Sequence, residues 1–141
     1  MITKLNQTVA TIITTGGYIW LAQRSQTCRT FKGFWQAPGG EVEDDESIFT
    51  AVKRELYEET RIVWQKDIRN YQWIDRVPDA TCECCTLYLA ETMREPIVRE
   101  PDKIKGKWEL FSIPEVMCLP RVMPGIKNIL AQHEELICLK Y

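Results

Sequence analysis

The sequence holds one histidine, His133, in 141 residues, carries no excess of basic side chains, and has no long apolar run. Each shortage excludes a class of protein. A membrane-spanning helix needs about 20 consecutive apolar residues, and none are present. With a net charge of −2, the basic footprint of a protein that binds nucleic-acid polymers or anionic membranes is missing. The opening "MITKLNQTVATII" places polar Asn6, Gln7 and Thr8 where a signal peptide needs an unbroken apolar core, so a cytoplasmic protein is expected. Without an oxidising compartment, the six cysteines (28, 82, 84, 85, 118 and 138) are expected to be reduced thiols. "CECC" lacks the spaced partners of a closed zinc site. It reads better as part of a strand, with Cys85, Leu87 and Leu89 on one face and Cys82, Cys84, Thr86 and Tyr88 on the other. Repeats, low-complexity tracts and linkers are absent too. A composition of 45% apolar and 27% charged residues suits one globular domain over 1–141 with a real core.

The residues that are present have a clear rhythm. Two β-rich runs, 9–15 and 18–24, flank Gly16-Gly17, a hairpin signal. A polar stretch then ends in "WQAPGGEVEDDES", where Pro38, Gly39 and Gly40 argue against regular structure and allow the backbone to approach a ligand closely. Asp44 or Asp45 suits an N-cap for a helix over 46–60. Strands are predicted at 71–76 and 84–91 around the turn "VPDAT". A charged loop leads to a short strand "WELFS", Pro114 and Pro120 break the stretch after it, and 125–134 forms a last helix. The order implies an α/β (α+β) domain, a mixed sheet flanked by helices.

The predicted central helix carries an anomaly. In "RELYEETRI", Glu55, Glu58 and Glu59 stand at i, i+3 and i+4, beside the apolar stripe of Ile48, Phe49, Val52 and Leu56 rather than opposite it. Like charges at that spacing cost a few tenths of a kcal/mol even on an exposed helix. Arg54 reaches Glu58 at i+4, but one guanidinium does not neutralise three carboxylates. A hard divalent cation with oxygen ligands would, Mg²⁺ above all, because it takes a few carboxylates together with substrate phosphates. A solvated acidic face is the plainer alternative, and the upstream spacing decides between them. Gly40, five residues, Glu46, seven residues, Arg54-Glu55-Leu56, one residue, Glu58-Glu59, two residues and Ile62 resembles the Nudix box, G-x5-E-x7-R-E-U-x-E-E-x-G-U. Only the late glycine departs, being Arg61. "PGG" before the helix and "WELF…IPE" after it look like the MutT-type branch.

That resemblance implies an α/β/α sandwich and a Mg²⁺- or Mn²⁺-dependent hydrolase of nucleoside diphosphates linked to another group. It implies metal ligands at Gly39 (through its carbonyl), Glu55, Glu58 and Glu59, with a further acidic residue from a later loop, Glu100 or Asp102. Glu55 is the expected base, Glu58 and Arg54 complete the catalytic set, and Arg54 pairs with Glu46. Arg24, Trp35, Gln36 and Gly40 are the expected substrate contacts, with Phe34 beside them and Lys32 and Arg29 as candidates for phosphates. Glu41 follows Gly40 where relatives often carry a basic or neutral residue. Arg61 is expected at a left-handed helix terminus, at a cost of about 1–2 kcal/mol partly offset by the helix dipole. The leading expectation is cleavage of a (deoxy)nucleoside triphosphate, including oxidised ones such as 8-oxo-dGTP, to the monophosphate and pyrophosphate, by a monomer or homodimer. Pro78, sixteen residues beyond Ile62, marks the rival, an ADP-ribose or nucleoside diphosphate-sugar pyrophosphatase. A non-catalytic nucleotide-binding module is a third reading, and a zinc module built on "CECC" a fourth.

Overall fold

The computed structural model describes residues 7–77 and 84–137. Its strands are β1 (Gln7–Thr15), β2 (Tyr18–Arg24), β3 (Trp35–Gln36), β4 (Gly39–Glu41), β5 (Ile68–Val77), β6 (Cys84–Thr92) and β7 (Ile104–Phe111). Its helices are α1 (Ile48–Thr60), α2 (Trp64–Asp67), α3 (Ile113–Cys118), α4 (Ile126–Gln132) and α5 (Glu134–Ile137). The sheet runs β3-β2-β1-β6-β5, with β4 joined to β1 and β7 to β2. It is mixed, because β1 and β6 pair in parallel while the other pairings are antiparallel.

Both faces of the sheet are covered, so its inner strands read as continuous apolar runs rather than alternating ones. In β1, Ile12 enters one core with Leu87, Val116, Ile129 and Leu130, while Val9 and Ile13 enter the other with Val52, Leu56 and Trp64. In β2, Ile19 and Leu21 face the first core, and Trp20 and Ala22 the second. The expected faces of β6 hold for Cys85, Leu87 and Leu89, which pack in the first core. Thr86 is buried and Tyr88 packs against the second core. Cys82 lies outside the described residues. Cys28, Cys85 and Cys118 are in the reduced form.

One irregularity sets up everything near the site. Gly16 and Gly17, both left-handed, close the β1–β2 hairpin as expected, with Thr15 opposite Tyr18 and Thr14 opposite Ile19. Beyond that the two strands part company. β3 takes over the free edge of β2, with Gln36 opposite Ala22, and β4 takes over β1, with Gly39 opposite Ala10 and Gly40 opposite Val9. Residues 35–41 are therefore a wedge driven between the splayed arms of a hairpin, held also by Thr11 N–H donating to the Pro38 carbonyl at 2.9 Å.

Several expectations need correction. Gly39 and Gly40 lie in a short strand, and their value is the missing Cβ rather than an unusual dihedral. A Cβ on Gly39 would stand 2.2 Å from the Val9 carbonyl oxygen and 2.8 Å from Ala10 Cα. α1 starts two residues later than expected and is capped by Ser47, whose Oγ accepts from Thr50 N–H at 3.1 Å. Asp44 and Asp45 are not the cap, and Asp45 instead takes a left-handed turn at φ 64. Pro114 sits in the first turn of α3 rather than breaking it. Proline loses nothing in a first turn, and Ser112 and Glu115 form a capping box around it. The last helix divides into α4 and α5 at His133. Pro78 and most of "VPDAT" lie outside the described residues.

Arg61 is left-handed, at φ 65 and ψ 9, and its N–H caps α1 by donating to the Tyr57 carbonyl at 2.9 Å. The glycine geometry is thus retained with an arginine in it. Arg61→Gly is expected to stabilise the fold by about 0.5–1 kcal/mol, the left-handed strain being relieved and partly offset by a looser unfolded chain. Urea denaturation of the two proteins checks this.

Candidate active site

α1 presents its carboxylates along a gradient of exposure. The Glu55 side chain is 14% exposed and that of Glu58 is 49% exposed; Glu59 is half-buried. Arg54 ties most of the group together. Its Nε and Nη2 donate to the two oxygens of Glu46 at 2.7 and 2.9 Å, a bidentate pair. Nη2 also donates to the Glu41 carbonyl at 3.0 Å, fastening the loop to the helix. Nη1 donates to Glu55 Oε1 at 2.8 Å and lies 3.3 Å from Glu58. Among the described residues Arg54 touches carboxylates and that carbonyl, so its part is to position other groups. The expected Arg54–Glu46 bridge is there, and it holds the Glu46 carboxyl at about 2, well below its usual value.

The deeper carboxylates behave in the opposite way. Glu59 Oε1 accepts from Gly39 N–H at 2.7 Å, yet burial pushes its carboxyl up to about 8, with Glu55 and Glu100 adding repulsion. Glu55 is raised as well, by burial first, against the pull of Arg54. The Glu100 charge bears on both, while Glu100 itself pairs with Lys103 Nζ at 2.8 Å. Asp102 serves the loop through its backbone: its carbonyl accepts from Ser25 Oγ at 2.6 Å and Thr27 Oγ1 at 2.5 Å. Lys103 was not anticipated, and its spacing of three from Glu100 is the only sequence signal it leaves.

Gly40 brings the wedge onto the helix, since a Cβ there would lie 2.5 Å from the Glu55 carboxyl group. Gly39 and Gly40 also line a cavity of about 190 Å³. Arg24, Gln36 and Gly40, three of the expected substrate contacts, share its wall. Trp35 does not. It packs edge-on against Phe111 at 5.1 Å, beside the first core. The aromatic wall is Phe31 instead, left-handed at φ 52 and edge-on to Phe34 at 5.1 Å. Met123 and Pro124 line the side before α4. Neither Phe31 nor Met123 sits at a readable spacing from the box. Lys32 and Arg29 are exposed and do not line the cavity.

These residues suit a hard cation better than a soft one. The donor set is carboxylate oxygen, and Arg54 offsets charge only on the Glu46–Glu58 side. As placed, no group of three or more His, Cys, Asp or Glu among the described residues forms a ready cage. Glu55 and Glu58 engage Arg54, Glu59 engages Gly39 and Glu100 engages Lys103. Gly39, Glu55, Glu58, Glu59 and Glu100 are the residues that would hold such an ion. Among the described residues no helix is long and apolar enough to cross a membrane.

An acidic helix laid against a glycine wedge, in a mixed sheet covered by helices on both faces, is an arrangement of the α/β/α kind. The NUDIX domain family model matches residues 4–132, and the chain belongs to the Nudix family, whose members hydrolyse phosphoric anhydride bonds and generally use divalent metal ions. Phosphatase NudJ of Escherichia coli K12 is 33% identical over 98 residues, a match covering 49% of this chain. The chain spans 64% of the length of these curated relatives. The NUDIX domain of Shewanella oneidensis NrtR, complexed with ADP ribose, superposes with a TM-score of 0.75 at 21% identity, over 96% of this chain and 90% of that one. A MutT NUDIX hydrolase from Burkholderia pseudomallei gives 0.68 at 24% identity, over 92% and 98%. Both share the fold.

The two glycines should fail differently. Gly39→Ala drives a Cβ into backbone and should cost about 2–3 kcal/mol of stability. Gly40→Ala meets only the movable end of Glu55, so the fold should hold within about 1 kcal/mol while displacement of that carboxylate lowers kcat roughly 100-fold. Denaturation and turnover measured on both variants test the contrast.

The carboxyl shifts also set a pH dependence. Glu59, raised from 4.5 to about 8 in the folded state, contributes stability that is whole below pH 4.5 and lost as pH rises through 8. Glu46, depressed to about 2, contributes stability present above pH 4.5 and lost as pH falls through 2. In chelator, stability should therefore decline between pH 4.5 and 8. Glu59→Gln should lessen that decline, the part due to the raised Glu55 remaining, and leave the acid limb unchanged, as urea midpoints across the pH range would show.

Proposed function

We propose that the protein is a Mg²⁺-dependent (or Mn²⁺-dependent) nucleotide hydrolase, cleaving (deoxy)nucleoside triphosphates, including oxidised ones such as 8-oxo-dGTP, to the monophosphate and pyrophosphate. The whole chain acts as one cytoplasmic Nudix domain on a small-molecule substrate. The observation that carries this reading is the glycine wedge, which is at once the wall of a ring-sized cavity and the surface against which Glu55 and Glu59 are packed. A nucleotide with its base in the cavity would lay its phosphates over that acidic edge. Volumes of 300–1,000 Å³ hold drug-sized ligands, so a cavity of about 190 Å³ suits the base and leaves the phosphates outside it.

A divalent cation held by the carboxylates would neutralise the polyphosphate and orient it. The chain's own groups do the rest. Water adds to a phosphorus of the α–β bridge, the bridging P–O bond on that phosphorus breaks, and Glu55 takes the water's proton. Burial supports that role, because a carboxyl held above its usual value is a better base near neutrality. Arg54 keeps Glu55 and Glu58 in register from the side, and Glu46 holds Arg54.

Incubation with Mg²⁺ and a panel of dNTPs, oxidised dNTPs and ADP-ribose tests the reading. Pyrophosphate released from a triphosphate, with ADP-ribose intact, is the expected result. Cleavage of ADP-ribose alone would transfer the site to the diphosphate-sugar class, and nucleotide binding without turnover under either metal would make it a sensor. Glu59→Gln should fold normally and lose roughly 10²–10⁴-fold in kcat.

A further inference from the structure

The cavity has a built-in polarity. Arg24 stands half-buried at the end of β2 and donates through Nη1 to Gln36 Oε1 at 2.6 Å. Its Nε donates to the Thr30 carbonyl at 3.1 Å, which fixes the guanidinium plane. A guanidinium can only donate, so the atom of Gln36 that faces it must be the amide oxygen. The usual ambiguity of an amide side chain is thereby removed by chemistry. With one lone pair of that oxygen committed to a full positive charge, Gln36 offers the cavity chiefly its NH₂. Among the described residues the Gln36 side chain makes no other hydrogen bond, and its nitrogen is not one of the fully buried, unpartnered polar atoms, so it stays open to a ligand. Gln36 itself is buried, 8% exposed, and lines the cavity beside Arg24. The remaining polar side chains of the wall, Thr8, Thr30 and Cys85, can donate or accept and set no polarity.

We infer that the Arg24–Gln36 pair makes this cavity a donor site that selects bases presenting a ring carbonyl, the 6-oxopurines and 4-oxopyrimidines, over their 6-amino and 4-amino counterparts. A carbonyl oxygen receives the Gln36 N–H. An exocyclic amine in its place sets donor against donor, and both are left desolvated and unpaired. Sites built to hydrogen-bond one group discriminate strongly against an analogue that cannot answer it. A glutamine free to use both atoms would suit adenine, pairing with its amine and its ring nitrogen together. Arg24 takes that option away.

The inference deepens the proposed function, resting on it in taking the cavity as the seat of the base, and its test separates the two. The pairs ITP/ATP and UTP/CTP each differ at this edge by an oxo-for-amino exchange and the ring-nitrogen proton that goes with it. With Mg²⁺, kcat/KM should favour the oxo member of each pair at least tenfold, and IMP should bind at least tenfold more tightly than AMP by calorimetry. Equal or reversed preference, or no binding of either monophosphate, overturns the inference whatever the catalytic result. Failure to hydrolyse any triphosphate, with IMP still preferred to AMP, overturns the hydrolase reading and leaves the donor site standing. Gln36→Glu, which exchanges the donor for an acceptor in the same volume, should bring the IMP/AMP ratio to one or invert it. Gln36→Leu serves if that variant does not fold, and should bring the ratio to one. Arg24→Met frees the amide to turn over and should also lower the ratio toward one with Gln36 intact. A merely structural role would weaken both monophosphates alike and leave the ratio unmoved.

Discussion

The site depends on one close approach, the Gly39 backbone pressed against Val9 and Ala10 of β1 without room for a Cβ. That contact exists because β1 and β2 pair only beside their turn and then diverge, leaving two free edges that need hydrogen-bond partners. The wedge of residues 35–41 supplies both sets at once. Fixed there, Gly39 turns its N–H to Glu59, and Gly40 leaves space for the Glu55 carboxyl. The strand edge and the carboxylate geometry are thus one constraint. A shift of the wedge would unpair β1 and misplace the acids together.

The same arrangement explains how like charge is tolerated on α1. Four acidic groups, Glu43, Glu46, Glu55 and Glu58, surround Arg54 on its loop and helix sides, and its bond to the Glu41 carbonyl makes the network a mechanical tie as well as an electrostatic one. Glu59 lies beyond its reach and leans on a single N–H, so desolvation dominates there and dominates in the opposite direction from Glu46. Two carboxylates of one box are therefore pushed apart in proton affinity by environment alone. That separation is the condition under which neighbouring acids can take different roles.

How much was legible in the sequence depends on the range of the interactions involved. The hairpin at Gly16-Gly17, the acidic edge of α1 and the Arg54–Glu46 pair are written at short spacings, through turn dihedrals, helix periodicity and one reach of eight residues. The left-handed Arg61 was readable because a helix terminus demands that geometry whatever side chain occupies it. The cap was misplaced because Asp44, Asp45 and Ser47 all have the right chemistry, and the turn through left-handed Asp45 decides among them. β3 and β4 were invisible: two or three residues carry no period, and their glycines signal absence of structure until the partner strand is known. Trp35 failed for a related reason, since the ring it packs on, Phe111, lies in β7, far along the chain.

The cavity's chemistry depends on residues that only the fold brings together. Cys85, Leu87, Met123 and Ile126 reach it from the face of the sheet covered by α3 and α4, whereas the carboxylates come from α1 on the other face. The two meet where β1 and β2 part, so a ligand seated in the cavity reaches the acidic edge only across the wedge. Base and phosphates would then be read by different layers of the sandwich, with Gly39 and Gly40 as the hinge of the geometry. Changes in the wall of the cavity can alter which ring is accepted without touching α1, because no cavity side chain among the described residues bonds to Glu55, Glu58 or Glu59. Separation of that kind lets one box of acidic residues serve many different leaving groups, and it is the physical reason the donor polarity set by Arg24 and Gln36 can vary independently of the hydrolytic chemistry.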